Sequence, residues 1–202
     1  MEQKIDFPLP TDLPRPIQDG AADHLKGMRL PDISLPSTGK KSIELKKLGK
    51  GRSVIYCYPM TGVPGVPLPE GWDLVPGARG CTPQSCNFRD RHEELKHLGV
   101  TVYGLSTQTT EYQLEMAERN HLSFEILSDS DFRLCDALRL PTFQIAGMRL
   151  LKRLTMIIHG GEIEHVLYPV FPSNENADRV IDWLNGHPLS NRGGDAEHRV
   201  NR

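Results

Sequence analysis

Apolar and polar positions alternate along this chain between a strand-like and a helix-like period. Val54-Ile55-Tyr56-Cys57-Tyr58 is an unbroken apolar run of the kind shown by a central strand covered on both faces. Val100–Leu105 and Phe124–Leu127 read as further strands. Between them, Pro83–Leu98 places Phe88, Leu95 and Leu98 on one helical face, and Thr110–His121 carries Leu114 and Ala117 at helical spacing. Asp129-Ser130-Asp131 caps a short helix holding Cys135. Arg153–Ile158 and Ile163–Tyr168 flank Gly160-Gly161, a hairpin signal. Ser173 or Asn174 caps a final helix with Ala177, Val180, Ile181 and Leu184 on one side. Near the start, Ile33–Leu35 and Ser42–Leu45 form a second hairpin around Gly39. Strand, helix, strand, helix, strand, then hairpin and helix predict an α/β sandwich.

Four stretches break the pattern. Residues 1–28 are polar and proline-rich, with Pro8, Pro10, Pro14 and Pro16 blocking an early helix, and read as an arm lying on the domain. Gln18–Leu25 has room for a short helix. Residues 60–80 are dense in proline and glycine and form a loop long enough to be functional or mobile. Trp72 within it, beside Leu68, Leu74 and Val75, reads as an anchor to the body in preference to an apolar wall or lid near the site. Pro141–Leu150 is an irregular connection, and residues 187–202 are a disordered tail. The expected organisation is an arm at 1–28, a domain at 29–186 with the inserted loop, and the tail.

The composition narrows the partners. The 202 residues carry a net charge of −2, which argues against nucleic acid or an anionic membrane as the main partner. Lys40, Lys41, Lys46, Lys47 and Lys50 read as a solvated basic face. No stretch approaches a membrane span, and Met1–Asp6 lacks the basic start and apolar core of a signal peptide. Four cysteines in such a chain suggest the cytoplasm and reactive thiols, not structural bridges. Cys57 and Cys135 sit in apolar surroundings and read as core.

The chemistry concentrates in Gly80-Cys81-Thr82-Pro83-Gln84-Ser85-Cys86-Asn87-Phe88-Arg89-Asp90. Thr82 before Pro83 predicts a helix start, with Thr82 as N-cap and Cys81 just ahead of it. Free backbone N–H groups and the positive end of the helix dipole favour an anion there, and a thiolate is one. Arg79 and Arg89 add positive charge. Cys86 is a possible partner for that sulfur. Five residues apart on an ideal helix, the two Cα atoms lie roughly 8.6 Å apart, beyond the roughly 7 Å that a disulfide tolerates. A bridge would therefore require the first turns to unwind, which describes a redox device. Two other readings stay open: a pair of ordinary buried thiols, and a zinc site with His92 as a further ligand.

Gly-Cys-Thr, a second cysteine five residues after the first, and Phe-Arg-Asp resemble the active-site helix of peroxiredoxins, in particular the Q-type (bacterioferritin comigratory protein) group. The similarity covers roughly residues 29–186, with 80–90 the diagnostic part. It implies a thioredoxin-like fold, a central mixed sheet flanked by helices. It implies Cys81 as the peroxidatic cysteine, Cys86 as the resolving one, and Arg153 as the arginine that reaches the sulfur from a later strand. The family pattern Pro-x-x-x-Thr-x-x-Cys is broken here: Ala78 stands three residues before Cys81, and Pro59 and Thr61 are separated from it by the insert. Either Thr61 folds back onto the site or the hydroxyl's role is lost.

The resemblance further implies an antioxidant oxidoreductase that reduces hydrogen peroxide and organic hydroperoxides. It would pass through a sulfenic acid and a Cys81–Cys86 disulfide, and be recycled by thioredoxin or a glutaredoxin-like dithiol. No metal or other cofactor is needed, and the protein would be a monomer or a homodimer. The alternative is a redox-sensing or binding protein on the same fold, signalling through the loop with little turnover. An enzyme acting on protein disulfides would carry Cys-x-x-Cys, which is missing here.

Overall fold

The structure, a computed structural model, describes residues 12–48 and 51–189. The first part of the expected arm, Lys50 of the basic cluster and the expected tail from residue 190 lie outside the described residues. In chain order the elements are β1 (Ser34–Pro36), β2 (Ser42–Glu44), β3 (Arg52–Cys57), α1 (Cys81–Asp90), α2 (His92–His97), β4 (Val100–Ser106) and α3 (Thr110–Arg119). They continue with β5 (Glu125–Ser128), α4 (Arg133–Leu138), β6 (Thr142–Ile145), β7 (Met148–Leu151), β8 (Leu154–His159), β9 (Glu162–Leu167) and α5 (Asn176–Gly186).

Five strands form one mixed sheet in the order β5-β4-β3-β8-β9. β3 runs parallel to β4 and antiparallel to β8. Every residue of β3 is buried because both faces are covered. Val54 and Tyr56, with Tyr58 just beyond the strand, pack with Phe88, Leu95, Met116 and Val180 from the helices. Ile55 and Cys57 turn to the other face, against Leu25, Leu134 and Leu138. Gly104 sits opposite Tyr56 on β4, and a Cβ there would meet the Tyr56 hydroxyl at 2.8 Å. That bare backbone gives Tyr56 room to stack on Phe88 at 4.4 Å and to donate to Ser85 Oγ at 3.0 Å, which seats α1 on the sheet.

Several elements differ from the sequence reading. The helix expected over Pro83–Leu98 is two helices, broken at Arg91 (φ −101°, ψ 3°), whose guanidinium is drawn to Asp178 at the start of α5. The break turns Leu98 outward, where it is 37% exposed, while Phe88 and Leu95 are buried. On α3 the buried face is Gln113, Met116 and Ala117, with Leu114 at its margin. Pro141–Leu150 is no irregular connection, since β6 and β7 pair around Ala146-Gly147. Both turn residues have positive φ, 47° and 76°, as a tight hairpin turn requires. The helix expected within Gln18–Leu25 is a single 3-10 turn at Asp23–Leu25. Another such turn, Ser173–Glu175, precedes α5 where a capping side chain was expected.

Candidate active site

α1 begins one residue earlier than the proline suggests. Gly80 takes φ 100°, a left-handed conformation that glycine reaches at little cost, and it, not Thr82, is the cap. Cys81 is thus the first helical residue and Pro83 the third. The first helical hydrogen bond runs from Gln84 N–H to the Gly80 carbonyl at 3.0 Å. Pro83 therefore removes no helical bond, and the N–H groups of Cys81 and Thr82 keep no partner within the helix. Cys81 is 5% exposed, and when it is a thiol it donates to the Ala78 carbonyl at 3.6 Å.

Register explains how Arg153 arrives. Antiparallel pairing sets Leu154 opposite Cys57, so Arg153 leaves the sheet at the edge where β3 ends and α1 begins. Its Nη2 lies 3.2 Å from Cys81 Sγ. The same nitrogen reaches the carbonyls of Gly77 and Ala78 at 3.2 Å and of Arg79 at 3.1 Å. Two hydrogens serve four acceptors, so these bonds are shared. Nε donates to the Gly77 carbonyl at 3.3 Å, and Nη1 donates to Gln84 Oε1. Arg153 is 4% exposed, and no carboxylate pairs with it among the described residues. A buried cation solvated only by neutral dipoles favours negative charge in the space it faces. Here that space holds Cys81 Sγ.

Gln84 and Asn176 were not singled out from the sequence. Gln84 is fully buried on the turn after Cys81, and its Nε2 donates to Asn176 Oδ1 at 2.7 Å. Thr155, on β8 just past Arg153, donates to the same oxygen at 2.7 Å. The chain Thr155–Asn176–Gln84–Arg153 locks β8, α5 and α1 around the guanidinium. Amides carry no spacing signature, so only packing reveals them.

Thr61 is 1% exposed and bound to Gln108. Its N–H and hydroxyl both donate to Gln108 Oε1, at 3.0 and 3.2 Å, and its carbonyl accepts from Gln108 Nε2 at 3.1 Å. No hydrogen bond joins it to Cys81 among the described residues.

Cys86 lies on the same helix, 5% exposed, and donates to Asn120 Oδ1 at 3.7 Å. Burial pushes its thiol up from the ordinary value, against the opposing pull of Arg89. All four cysteines are free thiols. Cys57 is fully buried, and burial raises it well above the usual range. Cys135 is also fully buried and pushed up to about 11, although Arg149 Nη2 stands 3.5 Å from its sulfur. His92 bonds Ser123 Oγ at 2.6 Å, and no cluster of metal-ligating side chains occurs among the described residues.

The insert is tied down. Trp72 is 3% exposed and clusters with Ala78 and Leu150, backed by Phe143, Ile145 and Met148 of the β6–β7 hairpin. This is the anchor expected of it, while Leu74 points to solvent at 81% exposure. Where insert and arm meet, Pro16, Ile17, Val75, Phe143, Val170 and Arg153 help to wall a largely apolar cavity of about 360 Å³.

Known proteins share this fold. The family described as Redoxin matches residues 25–181. Peroxiredoxin Bcp of Escherichia coli (strain K12) is 31% identical over 161 residues, covering 78% of this chain and 93% of that protein. Among solved structures, Peroxidoxin BcpB from Mycobacterium tuberculosis superposes with a TM-score of 0.66 at 22% identity, covering 80% of this chain and 97% of the other. Peroxiredoxin Q from Xanthomonas campestris gives 0.63 at 20% identity, covering 88% and 99%.

Proposed function

The chain belongs to the Redoxin family and is a peroxiredoxin-type thiol peroxidase, and from that premise we propose that Cys81 is the residue that meets the peroxide. The observation that carries this reading is the Arg153 guanidinium, buried with no carboxylate partner among the described residues, 3.2 Å from a sulfur at the first residue of a helix.

The Cys81 thiolate attacks the distal oxygen of a hydroperoxide. An S–O bond forms, the O–O bond breaks, and the electron pair leaves on the other oxygen, which takes a proton to become water or an alcohol. Arg153 and the free N–H groups at the helix start sit where that charge develops. Cys86 then displaces the oxygen from the sulfenic acid as water, giving the Cys81–Cys86 disulfide. Because both residues stand on one intact helix, α1 opens for this step. A dithiol, thioredoxin or a glutaredoxin-like protein, returns the pair to thiols by exchange. Thr61 gives its hydroxyl to Gln108 and makes no hydrogen bond to Cys81 among the described residues, so of the two readings we take the one in which the role of the hydroxyl absent at Ala78 is lost.

The cavity beside Arg153 is not lined by Cys81, and its apolar walls suit the carbon chain of an organic hydroperoxide, while hydrogen peroxide needs no such pocket. Four free thiols fit a reducing cytoplasm. We take residues 29–186 as the catalytic domain, residues 1–28 as its arm and 187–202 as its tail. Among the described residues no helix is long and apolar enough to cross a membrane.

The test is timed mass spectrometry after one equivalent of hydrogen peroxide. Wild type should lose two hydrogens, mapped to Cys81–Cys86. Cys86→Ser should stop at a trappable sulfenic acid on Cys81, and Cys81→Ser should consume no peroxide. A disulfide joining Cys81 to Cys57 or Cys135 would refute the pairing, and unchanged turnover in Cys81→Ser would refute the mechanism.

A further inference from the structure

In the folded state Cys86 is held, and the hold has a definite chemistry. Its Sγ lies 3.7 Å from Asn120 Oδ1, at the C-terminal end of α3. The other end of that amide fixes its orientation, since Nδ2 donates to the Met116 carbonyl at 2.8 Å. The oxygen facing Cys86 can only accept, so the thiol donates to it. A donating thiol keeps its proton, whereas attack on oxidised sulfur uses the thiolate. The same residue also grips the helix. The Asn120 backbone carbonyl accepts from Arg89 Nη1 at 2.8 Å, three residues beyond Cys86 on α1. Asn120 is 4% exposed, so water does not compete for these bonds.

We propose that Asn120 is a positioning residue for the second half of the reaction: it latches Cys86 as a thiol inside folded α1, and its release sets the lifetime of the Cys81 sulfenic acid. This rests on reading Cys81 and Cys86 as the peroxidatic and resolving pair. Two fates compete for that sulfenic acid. In one, the Cys86 sulfur bonds to the Cys81 sulfur, the S–O bond breaks, and the oxygen leaves as water with the Cys86 proton and its own. In the other, a second hydroperoxide transfers an oxygen to the sulfur, giving sulfinic acid and releasing an alcohol or water. A latch that delays the first fate lengthens exposure to the second. Asn120 therefore sets the peroxide dose at which the enzyme is inactivated.

The experiment compares the full-length wild type with Asn120→Ala and Asn120→Asp. Rapid-quench mass spectrometry follows sulfenic acid and disulfide after one equivalent of hydrogen peroxide, and graded doses then measure sulfinic acid. Asn120→Ala removes the acceptor, so disulfide formation should quicken about fivefold, the factor of one hydrogen bond of ordinary net strength. The dose for half-conversion to sulfinic acid should rise by the same factor. Asn120→Asp keeps an oxygen acceptor and adds negative charge, so the step should slow and that dose should fall.

The opposite signs are the signature, because a residue that only finished α3 would shift both variants the same way. Shifts in one direction, or rates within about twofold of wild type in both variants, overturn the latch. Should Asn120→Ala fail to fold, Asn120→Asp decides: slower disulfide formation supports the latch and an unchanged rate overturns it. If wild type forms no Cys81–Cys86 disulfide, the pairing itself fails and the latch falls with it.

Discussion

Four thiols on one chain meet three kinds of environment, and the groups that face them separate them. Cys81 faces a guanidinium at a helix start, Cys86 faces an amide oxygen, and Cys57 and Cys135 are sealed in the face of the sheet away from α1. For the last two, burial disfavours the thiolate, leaving Cys135 pushed up to about 11 and Cys57 raised well above the usual range. Alkylation at pH 8 in the native state should therefore modify Cys81 and, on opening of α1, Cys86. Cys57 and Cys135 should react only after denaturation, as peptide mapping with light and heavy iodoacetamide would show. Native labelling of Cys135 as fast as Cys81 would place a third thiol in the chemistry. At this scale residue type and spacing single out Cys81 and Cys86 as candidates, and the structure adds the groups that face them. The sequence was silent on Gln84, Asn176 and Asn120, whose amides act only because separate elements bring Asn176 to Gln84 and Asn120 to Cys86.

Helices and strands were legible where periodicity was unopposed and illegible where a tertiary contact overrode it. Arg91 falls within a pattern that reads as one helix, yet the chain breaks there, where Arg91 pairs with Asp178 at 2.6 Å, and Leu98 beyond it is exposed. The β6–β7 hairpin escaped notice because Ala146, not asparagine or glycine, takes the first positive φ of its turn. That hairpin matters for the insert, since Phe143, Ile145 and Met148 are the surface on which Trp72 lies. Trp72→Ala should remove most of that contact at a cost of about 3 kcal/mol, as for other large aromatic truncations. The loss should fall locally, freeing residues 62–77 while the five-stranded sheet holds. Limited proteolysis should then cut the insert at least tenfold faster than in wild type, with a much smaller fall in melting temperature. Equal cleavage rates would mean that the Arg79–Asp73 ion pair and the Arg153 bonds to residues 77–79 hold the insert without Trp72.

Across the whole molecule, acid should loosen the packing in two separate steps. His165 is stacked on Trp183 at 4.7 Å, Trp183 on His187 at 4.3 Å, and the Arg52 guanidinium lies over the same indole at 5.1 Å. Burial first, then Lys26 and His187, hold the His165 imidazole below its ordinary value of 6.5, with Glu164 opposing. Burial likewise lowers His92, with Lys96 adding to the effect. A histidine lowered in the folded state binds its proton more readily when unfolded. Its contribution is complete above about pH 6.5 and is lost as pH falls through the window between that value and the lower folded one.

Asp19 marks the second step. Lys152, Tyr168 and the Ala21 N–H hold its carboxylate down to about 2. This bond ties the arm to the residue next to Arg153, and its contribution is present above the unfolded value of 3.8 and lost as pH falls toward 2. The site is open to solvent, so the second step should be small and should shrink with salt. Urea denaturation at intervals from pH 8 to pH 3 should show a plateau, a decline below about pH 6.5, and a further decline below about pH 4. His165→Gln should flatten the first decline and leave the second, while Asp19→Asn should do the reverse. If stability is level from pH 7.5 to pH 5, the half-buried histidines are not neutral in the fold, and the stack at the start of β3 is held by something other than their lack of charge.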